Sequence, residues 1–300
     1  MGRYFVTGGT GSFGKRYVKR LLDRGEDVTV FSRDELKQYE MAKLHPTVRY
    51  VIGDIRDEDR VREAMAGHDY VIHAAALKHV RTGEQHPSEA VTTNVLGSWR
   101  VAKAAIATGI KRAVILSTDK AVMPVNTYGS TKYVAEKMWL RSNEHAPIFT
   151  ATRYGNVIGS SGSVLHVFDK QQHNGEFTIT DKRMTRFAVT FKYAMDLVDR
   201  AFTADPGTMI VSKVPSFRIT DLAAAFSDAP CREVGIQAGE KIHEMMLTEY
   251  ERSRVIDCGE WYELPPDTDG STPNLGTAYT SEDGPYLTVG ELQELIHVTV

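Results

Sequence analysis

Cysteine is scarce: the 300 residues contain two, Cys231 and Cys258. Neither belongs to a cluster with metal-ligand spacing, so no metal site is expected. Two lone thiols suit a reducing, cytoplasmic setting better than a disulfide framework. Basic charge is not in excess either. Lys plus Arg number 36 against 39 Asp plus Glu, a formal net charge of -3. That argues against nucleic acid as the main partner, because no surplus of cations exists to neutralise phosphates. No run of about 18 apolar residues occurs, so no membrane span is expected. The opening "MGRYFVTGG" enters a strand-like run at once and leaves no room for a signal peptide. Internal repeats and low-complexity stretches are missing as well. What is there is 42% hydrophobic and 25% charged, an ordinary globular balance, in a chain long enough for one large domain or two modest ones.

Short apolar runs alternate with longer helical patterns in the first half. The strand candidates are 3–8, 27–32, 48–54, 70–76, 112–118 and 148–155, several nearly continuous in Val, Ile and Phe, as strands buried on both faces are. Helical patterns lie between them, at 14–25 and 94–109 among others. The second places Val95, Trp99, Ala102 and Ile106 on one face. The alternation implies right-handed crossovers and a parallel sheet, hence an α/β, doubly wound fold. Beyond residue 160 the regularity fades. One more strand is expected at 209–214, loop from Trp261 onward, and a last short helix at 287–298 with Thr288 as N-cap and Glu291 three residues later. The division expected is a sheet domain over 1–165, with 186–214 returning to it, and a smaller C-terminal lobe from 166–185 and 215–300. The lobe would cover the strand ends, where open α/β sheets place their ligands.

"FVTGGTGSFGKRYV" at 5–18 reads as strand, glycine turn and helix. Gly8, Gly11 and Gly14 give G-x-x-G-x-x-G, with Thr10, Ser12 and Phe13 between them, and Gly9, Gly11 and Gly14 also satisfy G-x-G-x-x-G. Glycines permit the tight turn, the approach of backbone to a pyrophosphate and close helix packing. The helix N-terminus offers free N–H groups to the phosphates. Directly after a first strand, this is the fingerprint of a Rossmann-type dinucleotide site. The second strand ends "VFSRDELKQ". Ser32 and Arg33 stand where an NAD-selective site carries an acid for the ribose 2′-OH, and Lys37 follows one helical turn on. Arg33 suits a 2′-phosphate and stacking on adenine, so NADP is expected over NAD, with Asp34 as the opposing signal. Asp54 and Ile55, after the third strand, are expected to flank the adenine.

The densest chemistry is in "LSTDKAVMPVNTYGSTK", 116–132. A phenol titrates near 10 and is a poor base at neutral pH. Lys132, at i+4 from Tyr128, lies on the same helix face and stabilises the phenolate. Thr118 is placed to hydrogen-bond the same oxygen. Tyr128 would deprotonate a sugar hydroxyl while its hydride leaves to nicotinamide, and Lys132 would also hold the nicotinamide ribose. Asp119 and Lys120 add a further carboxylate and ammonium.

In this order, these segments resemble the extended short-chain dehydrogenases/reductases. More narrowly, they resemble the inverting UDP-N-acetylglucosamine 4,6-dehydratase (5-epimerase) family of bacterial surface-sugar biosynthesis. The matching pieces are "TGGTGSFG", "SRDELKQYEM", "AAALKHV", "STDKAVMPVNTYGSTK", "RYGNVIGSSGSV", "MTRF", "SKVPSFRITDLA" and "GEKIHE", which span nearly the whole chain. The Thr118-Asp119-Lys120 triplet is the most specific, since retaining dehydratases usually carry Glu in the third place. The resemblance implies oxidation at C4, removal of the C5 proton by Lys120, protonation of the departing 6-hydroxyl by Asp119, and return of hydride to C6. It implies that Ala74, Ala75 and Ala76 border the cofactor and that Asn156 contacts phosphate. It places Arg186 on the diphosphate, Glu240 near the nucleotide ribose, and Lys78, His79 and Val164 at the substrate. It implies a UDP-sugar substrate and a homo-oligomer.

The chain departs from the family at Gln237-Ala238, where Arg-Pro or Arg-Ala is usual, at Ala188, where Trp is usual, and at His166, where Pro is frequent. All three lie in the substrate half and bear on which sugar nucleotide is accepted. A 4-epimerase or a retaining dehydratase of the same fold is the nearest alternative, and the Asp119–Lys120 pair argues against both. A non-catalytic NADP-binding protein is the distant one; such proteins typically lose the Tyr or Lys, and here Thr118, Tyr128 and Lys132 are all present.

Overall fold

The computed structural model describes residues 1–144, 146–267 and 275–299. The apolar runs form β1 (Arg3–Thr7), β2 (Asp27–Ser32), β3 (Arg49–Ile52), β4 (Tyr70–His73), β5 (Arg112–Thr118), β6 (Ile148–Tyr154) and β7 (Met209–Ser212), followed by β8 (Ile256–Asp257) and β9 (Trp261–Leu264). They make one sheet in the order β8-β9-β7-β6-β5-β4-β1-β2-β3. From β3 to β7 all neighbours are parallel. The chain reverses its direction of travel across the sheet between β1 and β4, which opens a ligand crevice at their carboxyl ends. The longer helices of this domain are α1 (Ser12–Asp23), α2 (Glu35–Leu44), α3 (Glu58–Met65), α4 (Ser98–Ala107), α5 (Thr127–Arg141) and α6 (Phe191–Ala201). Phe5, Val30, Ile72, Val114, Ile115, Phe149 and Ile210 lie in the core between sheet and helices.

Two expectations are corrected. The stretch from Trp261 does not begin as loop: β9 pairs antiparallel with β7, Tyr262 opposite Val211. Tyr262 and Leu264 are buried and alternate with half-buried Trp261 and Glu263, the period of a strand with one face on the core. Pro265 and Pro266, directly after it, disguise the signal. Residues 256–264 therefore belong to the large sheet rather than to the lobe. Part of the expected loop, 268–274, lies outside the described residues. The second correction concerns 94–109. It opens as a π turn, Val91–Gly97, and only then becomes α4. The wider turn changes the helical phase. The buried side is Ser98, Val101, Ala102, Ala104 and Ala105, whereas Ile106 is 37% exposed.

The lobe has its own apolar cluster, including Leu165, Phe168, Phe177, Ile179, Phe217, Leu222 and Leu292. It is built from the helices Val164–Gln171, Ile219–Ala224 and Val289–Thr299, and three small two-stranded sheets lie outside the large sheet among the described residues. The last helix opens as expected. The Thr288 hydroxyl accepts from the Glu291 N–H at 3.3 Å, and the Glu291 carboxylate accepts from the Thr288 N–H at 2.8 Å. Among the described residues no helix is long and apolar enough to cross a membrane.

His73 ties sheet to helices at the crevice. Its ring is buried on Trp139, with Nδ1 at 2.7 Å from the Thr7 hydroxyl and Nε2 at 2.9 Å from the Ser98 hydroxyl. Burial, reinforced by the Lys132 charge, pulls the imidazole down to about 3. The unfolded chain takes up this proton near pH 6.5 and the folded chain does not. The contribution is complete above about pH 6.5 and is lost as pH falls toward 3, at ~1.4 kcal/mol per pH unit. Urea unfolding is expected to show stability falling more steeply between pH 6.5 and 5 in the wild type than in His73→Gln. Equal slopes would contradict this.

Candidate active site

The glycine turn after β1 is held by close backbone contacts. Gly8 has φ 67, and a Cβ there would stand 2.7 Å from the Ala75 nitrogen. A Cβ on Gly14 would stand 2.5 Å from the Gly8 carbonyl oxygen. Backbone cannot yield as a flexible side chain does, so both positions need glycine. Helix α1 opens at Gly11 with no side-chain cap, whereas α2, α3 and α5 are capped by Asp34, Asp57 and Asn126. The first N–H groups of α1 are left for an anion, which fits the pyrophosphate of a dinucleotide. Ser12 bonds Ser161 at 2.7 Å, and Phe13 stacks on Tyr17 beside Tyr154. Ala74 and Ala75 pack beside the turn, and Ala76 is exposed.

At the far end of this cradle, Ser32 bonds the Thr10 hydroxyl at 2.9 Å. Arg33 has 60% of its side-chain surface exposed and reaches Asp54 at 3.4 Å. The Asp34 carboxylate is engaged by the Lys37 N–H at 3.0 Å and the Lys37 ammonium at 2.6 Å. It is thereby turned toward the α2 cap. Asp54 is held mainly by Arg56, at 2.9 Å from Nε and 2.7 Å from Nη2. The Ile55 side chain turns inward, away from the surface of the crevice. It is 5% exposed, in the core beneath Gly97, where a Cβ would meet it at 2.8 Å.

Strand β5 carries Thr118 to its carboxyl end, a single 3-10 turn carries Asp119 and Lys120, and α5 carries Tyr128 and Lys132. Turn and helix are pressed together at Gly129, where a Cβ would lie 2.1 Å from the Lys120 carbonyl oxygen. Asn126 caps α5 through the Gly129 N–H at 2.7 Å and donates to the Gly239 carbonyl at 2.7 Å. The five groups are thus brought together, and Asp119 is fully buried. Lys120 Nζ stands 3.2 Å from Asp119 Oδ1, 3.0 Å from Glu244 Oε1 and 2.7 Å from Asn156 Oδ1. The Thr118 hydroxyl donates to Asp119 Oδ1 at 2.9 Å. Asp119 Oδ2 and Glu244 Oε2 are buried without a partner among the described residues.

The electrostatics follow from this packing. Burial raises the Asp119 carboxyl, with Lys120 opposing and Glu244 reinforcing. Burial pulls the Lys120 ammonium down, but Asp119 and Glu244 together outweigh it, so its net shift is upward. Burial pushes Tyr128 up to about 12, opposed by the Lys120 charge and a hydrogen bond with Thr118. Burial pulls Lys132 down to about 8, with Glu136 opposing. Behind Lys132, Glu136 accepts from Ser117 at 2.6 Å and from Arg153 at 2.6 Å, and Arg153 also pairs with Glu251 at 2.9 Å. This buried network fixes α5 to β5 and β6.

Lys78 donates to the Ser161 carbonyl at 2.9 Å, and His79 lies against Gly162, so both face the segment that meets the glycine turn. Arg186 does not stand free for a diphosphate. Its Nη1 donates to the carbonyls of Thr185 at 2.7 Å and Ile242 at 2.9 Å, its Nη2 to that of Lys241 at 3.0 Å. It braces 241–244 against Thr185, and its Nε lies 3.8 Å from Glu244. Glu240 accepts from the Gln237 N–H at 3.2 Å within its own turn, and Val164 opens the lobe helix Val164–Gln171. Neither touches the catalytic cluster. Ala188 is buried in the lobe cluster, while His166, Gln237 and Ala238 face solvent.

Three residues not singled out in the sequence belong here. Glu244 contacts Lys120, Lys241 donates to the Val122 carbonyl at 2.6 Å, and Asn94 in the π turn links Leu77 to Thr131. For Glu244 a signal exists: a carboxylate directly before the apolar run "MML", which forms the strand Met245–Leu247.

Residues 4–266 match the family of polysaccharide biosynthesis proteins. The chain belongs to this family. A Campylobacter jejuni member named UDP-N-acetylglucosamine 4,6-dehydratase (inverting) is 40% identical, over 98% of this chain and 97% of its own length. A Rickettsia bellii protein named UDP-glucose 4-epimerase is also 40% identical, over 87% of this chain and 82% of its own. The X-ray structure of Pen from Bacillus thuringiensis superposes with a TM-score of 0.93 at 33% identity, covering 99% of this chain and 97% of that one. The structure of the dTDP-glucose 4,6-dehydratase DesIV from Streptomyces venezuelae, with NAD and TYD bound, shares the fold at a TM-score of 0.72 and 21% identity, over 80% of this chain and 86% of its own. The polysaccharide biosynthesis family thus has the extended short-chain dehydrogenase/reductase fold in this chain.

Proposed function

We propose that this chain is an NADP-dependent, C5-inverting UDP-N-acetylglucosamine 4,6-dehydratase. The observation that carries the reading is the Asp119–Lys120 pair between Thr118 and Tyr128, with Asp119 fully buried and Lys120 half-buried beside it. Oxidation of an alcohol and return of its hydride, which is all a 4-epimerase performs, needs only the Tyr-Lys pair. Burying two more ionisable groups costs desolvation. Dehydration uses both: one group removes the C5 proton, the other protonates the leaving oxygen. The relative bearing the dehydratase name supports this reading, and the relative bearing the epimerase name supplies the alternative to test.

The cofactor, held at the glycine turn and by Tyr128 and Lys132, would supply the hydride acceptor for C4 and the hydride for C6. Tyr128, backed by Lys132, takes the 4-hydroxyl proton. The C4 ketone acidifies the C5 proton, which Lys120 removes. Asp119 gives its proton to the 6-hydroxyl, which leaves as water. Reprotonation at C5 from the opposite face inverts that centre. The resting cluster favours the acid form of Asp119, as donation requires. It also favours the ammonium form of Lys120, whereas proton removal draws on the amine. The C5 step therefore quickens as pH rises, levels once Asp119 begins to lose its proton, and falls only as Lys120 itself titrates.

Exposed Arg33, and the turning of Asp34 toward the α2 cap, support NADP over NAD. Arg33→Ala is expected to weaken NADPH binding roughly tenfold or more, the order of a charge-assisted contact, with NADH nearly unaffected. Fluorescence titration of each cofactor checks this, and equal losses would contradict it. The function itself is tested by incubating the protein with UDP-N-acetylglucosamine and no added reductant. A product lighter by one water is expected; an unchanged mass with a C4 epimer would make the protein an epimerase.

A further inference from the structure

Two buried carboxylates share one ammonium in this site. Asp119 arrives from the turn after β5, and Glu244 from the other side of Lys120, on the segment leading into the strand Met245–Leu247. Each places one oxygen on Lys120 Nζ, at 3.2 and 3.0 Å, and each leaves its second oxygen buried and without a partner among the described residues. Glu244 is itself held in place, its N–H donating to the Ser281 hydroxyl at 2.9 Å. The other charged or titratable groups facing it are Arg186, at 3.8 Å, and Lys241, with Tyr128 on the far side of the cluster.

We propose that Glu244 is a positioning residue of the dehydration: it fixes the Lys120 ammonium opposite Asp119 and, by taking the larger share of that one cation, leaves the proton on Asp119. This rests on the dehydratase reading above. Two like charges so near one cation cannot both ionise cheaply in a dry site. Arg186, 3.8 Å from Glu244, adds a second cation on that side, which favours the charge on Glu244 and the proton on Asp119. The directions agree, Glu244 being lowered and Asp119 raised. A protonated Asp119 is what the leaving 6-hydroxyl requires. Lys120 takes the C5 proton, the electron pair of that C–H bond closes a C5=C6 double bond as the C6–O bond breaks, and the Asp119 proton passes to the 6-oxygen, which departs as water.

Glu244→Gln removes the competing charge and keeps the shape. Asp119 then ionises at lower pH as the one remaining counterion of Lys120, and Lys120, with one carboxylate lost, reaches its amine form at lower pH. Both changes move the pH–kcat profile for loss of water in the same direction. The expected result is a shift of the whole bell to lower pH by about one unit or more, with a fall of about tenfold or more in kcat at the wild-type optimum. Glu244→Asp, which keeps the charge on a shorter arm, is expected to return the profile toward the wild-type position even where kcat stays low. A lower rate with an unshifted profile in both variants would overturn the proposal and leave Glu244 a structural residue. If Glu244→Gln does not fold, the position of the Glu244→Asp profile and its rescue relative to Glu244→Ala decide the matter. Wild-type protein that releases no water from UDP-N-acetylglucosamine would instead overturn the dehydratase reading itself.

Discussion

Lys120→Met is expected to lower loss of water from UDP-N-acetylglucosamine by ~10³-fold, within the 10²–10⁴ range of a lost general base, while C4 oxidation continues. Tyr128 and Lys132 are carried by α5 and make the first proton transfer without Lys120. In a single turnover with stoichiometric NADP, reduced nicotinamide should therefore accumulate and decay slowly. Asp119→Asn is expected to separate the steps differently: the C5 proton exchanges with solvent, and the 6-hydroxyl stays. Simultaneous loss of hydride transfer and elimination in both variants would contradict the division of roles. Lys120→Met leaves Asp119 and Glu244 without their shared cation, a cost of order 3–5 kcal/mol for a broken buried pair. Lys120→Gln, which retains hydrogen bonds to both carboxyls, is the companion variant.

Gly129→Ala is expected to destabilise the protein by ~3 kcal/mol or more, against the general rule for helices. Gly-to-Ala inside a helix ordinarily stabilises by about 1 kcal/mol. Here the added Cβ would stand 2.1 Å from the Lys120 carbonyl oxygen and 3.2 Å from Pro124. Overpacking against a side chain costs ~1–3 kcal/mol, and backbone yields less than a side chain. Either α5 retreats, taking Tyr128 and Lys132 with it, or the Asp119–Lys120 turn moves. Thermal unfolding should show Tm lower by about 5 °C or more, and activity should fall even where the variant remains folded. An unchanged Tm with full activity would mean that helix and turn are not in this contact.

The sheet was legible because its strands are buried on both faces and read as unbroken apolar runs; β2 and β5 coincide with their expected bounds. The glycine turn and the Tyr128–Lys132 spacing were legible because each depends on a short, local pattern. What was not legible depends on tertiary partners. β9 is short and precedes two prolines, and only its pairing with β7 makes it a strand. The phase of α4 follows from the π turn before it, which no local apolar period announces. Ile55 lies in the core because Gly97, far along the chain, leaves room for it. Glu244 lies far from Lys120 along the chain, and spacing carries no information over that distance. Arg186 has the right residue type for a diphosphate, yet nearby backbone carbonyls engage its donors.

The most direct test of the central reading is the fate of the C5 hydrogen. UDP-N-acetylglucosamine is incubated with wild-type protein in D2O without added reductant, and the product is followed by NMR and mass spectrometry. The expected product has lost one water, is a 4-keto-6-deoxy sugar, carries deuterium at C5, and shows the couplings of the inverted, L-arabino configuration. A sugar that keeps its water and returns only as its C4 epimer, with hydrogen retained at C5, would contradict the role given to Asp119 and Lys120.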